Sequence, residues 1–166
     1  MSQLFDIQDT FPATVEAVVN LILDTDIQQR MYRELGYRKW TEERRETTQG
    51  LERTLTIQPP VALPGFIRKA FGDNAGYREH QTWDADRRRY TWKVVFDLSD
   101  RLTFSGECTF QSAPSGCVRR ITGEARARIP LIGRRLEAYV VSEAEKSEHG
   151  SARWMAEHLA GKADQG

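Results

Sequence analysis

After Gly36, for most of the roughly ninety residues to Ile129, the sequence keeps a period of two, and nothing else in the chain constrains its fold as strongly. Period two over that length means a run of about six antiparallel strands with one apolar face. A twisted sheet of this kind must cover that face. The remaining sequence supplies one short strand, an N-terminal helical stretch, a short insert and one long C-terminal helix to do so.

That last helix reads from Leu131 to Leu159, after Pro130 punctuates the preceding strand. Ile132, Leu136, Tyr139 and Val140 form a buried stripe, which returns at Trp154, Met155 and Leu159. Between them the same face holds Ala144, Ser147, Gly150 and Ser151. Propensity does not account for Gly and Ser inside a helix. Two readings stand side by side: a helix buried at its ends and solvated in its middle, or a lid over a cavity.

The chain opens with a strand over residues 3–11, ended by Pro12, and Thr14 then stands as an N-cap. Val15, Val18, Val19, Ile22 and Leu23 begin a helical stripe that continues through Ile27, Met31 and Leu35, with a break expected near Asp24 to Asp26. Tyr37 to Thr47 reads as a strand although both its faces are polar. With Gln49-Gly50 as a two-residue turn, Glu46 would face Arg53 on the partner strand Leu51 to Ile57. Pro59, Pro60 and Pro64-Gly65 then interrupt the sheet, and Phe66, Ile67, Ala70 and Phe71 make a short apolar helix ending at Gly72. This insert, Val61 to Phe71, is either a plug on the core or a flap at a mouth.

Two hairpins follow. A turn within Asp84 to Arg89 sets Trp83 opposite Tyr90, Gln81 opposite Trp92 and Glu79 opposite Val94. Glu79 and Gln81 therefore fall on an aromatic, inward face, where unpartnered polar groups are costly. Either they pair with groups such as Arg53, or they meet water or a ligand. The second hairpin runs from Leu102 to Phe110 and, past a loop at Ser112 to Gly116, along Ile121, Gly123, Ala125, Ala127 and Ile129. Small residues there permit a close helix or leave volume. The arginines of this last strand are expected on its outer, solvated face.

Lys+Arg and Asp+Glu both number 24, so the chain lacks the basic excess of a nucleic-acid binder. No apolar run reaches the ~20 residues of a membrane span, and the N-terminus has no signal-peptide pattern. A cytoplasmic protein is expected, without stable membrane insertion and with transient membrane contact left open. Cys108 and Cys117 are expected as free thiols, and no Cys/His spacing suggests a metal; no cofactor is expected. No P-loop, GxGxxG, HExxH or GxSxG is present. The oligomeric state is not legible.

The order strand, helix, antiparallel run, long helix resembles the helix-grip fold of the START-like (SRPBCC) superfamily. Three segments carry the resemblance. Phe11-Pro12-Ala13-Thr14-Val15-Glu16-Ala17-Val18 looks like that family's strand-to-helix entry, and Trp154-Met155 like its aromatic closure. Ile129-Pro130-Leu131-Ile132-Gly133 with Glu137 looks like an uncharacterised, mainly bacterial branch. The resemblance implies an α+β fold of six to seven strands curled around the C-terminal helix, as a single domain over 1–160 with a flexible tail at 161–166. It also implies a pocket for a lipid-like hydrophobic small molecule between sheet and helix. Leu55, Ile57, Phe66, Phe71, Trp83, Trp92, Phe96, Phe104, Phe110 and Ile121 would line it, with Tyr139 and Val140 closing it from the helix. Each of these could equally be ordinary core; Arg53, Glu79 and Gln81 discriminate, because a plain core has no use for them. Binding or carriage is the first reading. A cyclase/aromatase- or hydrolase-type enzyme using Glu79 with Tyr90 or Tyr139, or a filled scaffold for protein contacts, are the alternatives.

Overall fold

The computed structural model describes residues 2–165, with side chains as far as residue 162. The chain runs β1 (Gln3–Phe11), α1 (Val15–Ile22), α2 (Thr25–Glu34), β2 (Lys39–Thr47), β3 (Gly50–Gln58), α3 (Gly65–Phe71), β4 (Tyr77–Asp84), β5 (Arg89–Phe96), β6 (Leu102–Ala113), β7 (Gly116–Ala127) and α4 (Gly133–Gln165). The strands form one antiparallel sheet in the order β1-β7-β6-β5-β4-β3-β2, curved around α4. Gly166, the end of the segment read as a tail, lies outside the described residues.

Local chemistry accounts for the N-terminal elements. The Thr14 side chain accepts from Ala17 N at 3.1 Å and starts α1; the Asp24 side chain accepts from Ile27 N at 3.1 Å and starts α2. An N-cap at Asp24 is why one apolar stripe becomes two helices. Gln28, 3 % exposed, ties them together by donating to the Leu21 carbonyl at 3.0 Å.

The β2–β3 register differs from the sequence expectation by two residues. Thr47 pairs with Gly50, so Thr48-Gln49 is the turn, Glu46 faces Leu51, and Arg44 faces Arg53. Gly50 belongs to the strand because the next backbone crowds it: a Cβ there would lie 2.0 Å from the Trp83 carbonyl oxygen, and its φ is +148°. The like charges of Arg44 and Arg53 are reconciled by Glu42, which accepts from Arg53 Nη1 at 2.7 Å and from Arg44 Nε at 3.0 Å.

The same contacts explain a strand without an apolar face. β2 is a sheet edge, and its inward side chains dock on the α1–α2 junction by polar contacts. Thr25 Oγ1 donates to Glu42 at 2.6 Å, and Arg44 donates to the Leu23 carbonyl at 2.5 Å. Only Trp40 is apolar there, stacked on Tyr32 at 5.5 Å. Charged side chains on an exposed edge also discourage pairing with another chain.

The β4–β5 register is as expected. Trp83 faces Tyr90, Gln81 faces Trp92 and Glu79 faces Val94. Gly123 is small because the Trp92 ring occupies the space a Cβ would take, 2.6 Å away. Trp92 meets Phe5 and Phe104 edge-on, at 6.2 Å and 4.7 Å between ring centroids.

The long helix begins at Gly133, two residues later than the sequence suggested. Leu131 has φ +72° and is fully exposed, so it belongs to the turn. Glu137, 3 % exposed, reaches back to accept from Ala127 N at 2.8 Å and fixes the angle at which α4 leaves the sheet. Among the described residues no helix is long and apolar enough to cross a membrane.

Candidate functional site

Between the concave sheet face and α4 lies a cavity of about 330 Å³. The sheet contributes Phe5, Trp92, Val94, Phe96, Phe104 and Ile121 to its wall. From the other side come Leu136, Tyr139, Val140, Ala144 and Gly150 of α4, and one rim is formed by Val61, Leu63 and Ile67 of the insert. Ile67 is fully buried and Leu63 nearly so, and these two side chains anchor the insert while Arg68, Lys69 and Ala70 face outward. The small residues at the waist of α4 thus face open volume. A Cβ at Gly150 would meet nothing within 4 Å. Gly150→Ala is therefore expected to stabilise the fold by about 0.5–1 kcal/mol, through helix propensity alone. Urea denaturation measures it, and a loss of stability would mean the position is crowded.

At its inner end the cavity meets a polar hollow of about 40 Å³. Tyr77, Glu79, Tyr90, Ser147 and Glu148 line both spaces. The β3–β4 register sets Arg53 against Gln81, and Arg53 Nε donates to Gln81 Oε1 at 2.8 Å. The same oxygen accepts from Trp83 Nε1 at 2.9 Å, while Gln81 Nε2 donates to Glu79. Arg53 Nη1 also donates to the Ile22 carbonyl at 3.1 Å. Across the hollow Arg119, 3 % exposed, donates to Asp9 at 3.0 Å and lies 3.5 Å from Glu148. Its Nε is buried without a hydrogen-bond partner.

Burial perturbs the acids of this cluster. Desolvation, then the negative charge of Glu148, push Glu79 up from 4.5 to about 7, although Gln81, Arg53 and Arg119 oppose the shift. Glu148 is also raised, by desolvation first, with Arg119 opposing. Burial drives Tyr32, Tyr77 and Tyr90 well above the usual tyrosine value, so all three remain protonated donors. Glu79 is only half-buried, but the surface it exposes belongs to the cavity wall.

A raised carboxyl carries a sign for stability. At pH below 4.5 Glu79 is neutral in both folded and unfolded chains. As pH rises toward about 7 the unfolded chain ionises and the folded chain resists, so stability falls, by roughly 3 kcal/mol in full. Glu79→Gln is expected to raise Tm at about pH 8 and to change it little at about pH 4. Equal shifts at both would show that Glu79 ionises freely.

Seven of the sequence-derived site residues meet in the larger cavity: Glu79, Trp92, Phe96, Phe104, Ile121, Tyr139 and Val140. Arg53, Leu55, Ile57 and Gln81 line the polar hollow instead, with Glu79 common to both. Trp83 and Phe110 stand outside both walls, stacked on each other at 6.0 Å, with Trp83 also on Tyr90 at 4.3 Å. Phe66 and Phe71 pack beside Leu63, Ile67, Leu102 and Leu136, and Phe66 lies under the Arg135 guanidinium at 4.0 Å.

Sequence reasoning missed Arg119 and Glu148. Arg119 shares the parity of Cys117 and Ile121, both buried, so the two-residue period itself marks it as inward. Glu148 lies one helical turn after Ala144 on the cavity-lining face of α4.

A family model described as "Protein of unknown function (DUF2505)" matches residues 6–159. No curated protein matches the sequence. Among solved structures the chain is similar to the Zhui aromatase/cyclase from Streptomyces sp. R1128, at 15% identity and TM-score 0.69 over 96% of each chain. It is similar to TTHA0849 from Thermus thermophilus, at 16% identity and TM-score 0.67 over 96% of this chain and 99% of that one. A START superfamily protein from Mycobacterium smegmatis aligns over 94% of this chain and 98% of its own, at 9% identity and TM-score 0.62. The fold is START-like, as the sequence resemblance implied.

Proposed function

We propose that this chain, which belongs to the DUF2505 family of proteins of unknown function, binds an apolar, lipid-like small molecule in the cavity between sheet and α4. One observation carries the reading: about 330 Å³ of space lined mostly by aromatic and aliphatic side chains. That volume lies at the lower end of the range of small-molecule sites, and such sites are mostly apolar with a few placed polar groups. Glu79, Tyr90 and Glu148 supply those groups at one end. The insert Val61 to Phe71, bounded by Pro60 and by Gly72 at φ +88°, acts as the gate. The protein works in the cytoplasm as a carrier.

Native mass spectrometry of protein purified without detergent, followed by organic extraction and titration with apolar probes, tests this. A reproducible added mass, or saturable one-to-one binding of a probe with quenching of the cavity tryptophan Trp92, supports it. Absence of both overturns it.

An enzyme of the cyclase/aromatase type is the second reading, and one observation favours it. A carboxyl near pKa 7 in a cavity wall beside protonated Tyr90 is poised for general acid–base work. The aromatase/cyclase among the similar structures adds fold-level analogy. Turnover of a polyketone substrate that falls at least a hundredfold in Glu79→Gln would support it; unchanged turnover would remove Glu79 from that role.

A further inference from the structure

The polar hollow has a composition that chooses among ligand ends. Arg53 is held through Nε by Gln81 and through Nη1 by Glu42 and the Ile22 carbonyl. Arg119 is held by Asp9 and Glu148, and retains a buried, unpartnered Nε. Glu79 and Glu148 line the hollow directly, while Glu42 and Asp9 neutralise the two guanidiniums from behind. Counting Arg44, which shares Glu42 with Arg53, four carboxylates stand against three guanidiniums, so the surroundings are close to balanced in charge. The other polar groups facing it are protonated tyrosine hydroxyls and neutral hydrogen-bonding side chains: Gln28 and Tyr32 from α2, Tyr77 and Gln81 from β4, Tyr90 from β5, and Ser147 and Ser151 from α4.

Each kind of ligand end meets this set differently. A carboxylate accepts only, so it brings no donor of its own to Glu79 or Glu148 and adds negative charge where desolvation already penalises it. An ammonium donates only, so although it could bond Glu79 or Glu148 it gives the Arg119 Nε no acceptor, and it meets both guanidiniums. A hydroxyl does both: it donates to a carboxylate oxygen and accepts from a tyrosine or from arginine. Size agrees, because about 40 Å³ admits one small polar group and no ring.

We propose that the hollow seats a neutral hydroxyl at the end of an otherwise apolar ligand, and that Glu79 and Glu148 exclude a carboxylate from the same position. This rests on the reading that the larger cavity holds the apolar body. A matched series tests it: decanol, decylamine and decanoate, each displacing the neutral fluorophore N-phenylnaphthylamine from the full chain near neutral pH. Decanol is expected to bind at least ~10-fold more tightly than either charged partner, about 1.4 kcal/mol. In the isosteric Glu79→Gln variant, checked for folding by circular dichroism, decanoate is expected to gain on decanol by ~10-fold. Decanoate or decylamine binding as tightly as decanol overturns the choice of a hydroxyl while leaving the cavity as a ligand site. If neither the fluorophore nor any of the three binds, the cavity reading fails and this inference fails with it.

Discussion

Glu42→Ala is expected to destabilise the protein by about 3–5 kcal/mol, the largest single loss outside the aromatic core. Its carboxylate and the Arg53 guanidinium are 2.7 Å apart, with side chains 2 % and 3 % exposed. Removing the acid leaves a buried guanidinium whose remaining partners, Gln81 and the Ile22 carbonyl, are neutral. Thr25 loses its acceptor as well, and Arg44 is left tied to the α1–α2 junction through the Leu23 carbonyl and Thr25 Oγ1 alone. The double variant Glu42→Ala/Arg53→Met is expected to recover most of the loss, because no uncompensated charge remains. Urea unfolding of the two single variants and the double measures the cycle. A loss below ~1 kcal/mol for Glu42→Ala would mean that water reaches Arg53.

Ala144→Phe is expected to do the reverse: leave stability within ~1 kcal/mol and abolish binding. Ala144 lines the cavity from the middle of α4 at the edge of the core, so a larger side chain there extends into the cavity volume. Phenylalanine is a tolerable helix residue, so the substitution acts by occupying space. Affinity for an apolar probe should fall by ~100-fold or more, about 2.7 kcal/mol. Unchanged affinity in the variant would place the probe elsewhere on the protein. The pair of variants separates the two halves of the interior, one polar and structural, the other apolar and open.

How far the sequence foretold this depends on the distance over which each feature is encoded. The β4–β5 register was legible because the polar run Asp84 to Arg89 admits one turn, and Glu79 and Gln81 follow from it by parity. The β2–β3 register was not, because Gly50 resembles a turn glycine. Its reason is the Trp83 backbone, remote in sequence. The polar inner face of β2 was a puzzle for the same reason: its partners, Leu23 and Thr25, lie on helices whose docking no local pattern reports. The two arms of the candidate site differ likewise. Its apolar wall follows from alternation. Its polar end needs Arg119 from β7 and Glu148 from α4 beside Glu79 from β4, a meeting only the curvature of the sheet creates. The small waist of α4 was visible, and the structure sets the cavity beside it, against the alternative of a solvated middle.

The most direct test of the central claim is a crystal structure of the protein grown with decanol. Continuous density for an alkyl chain between Trp92, Phe104 and Val140, with its oxygen beside Glu79, is the result expected. A chain found only on the surface, or side chains closed into the space so that no cavity remains, would contradict it.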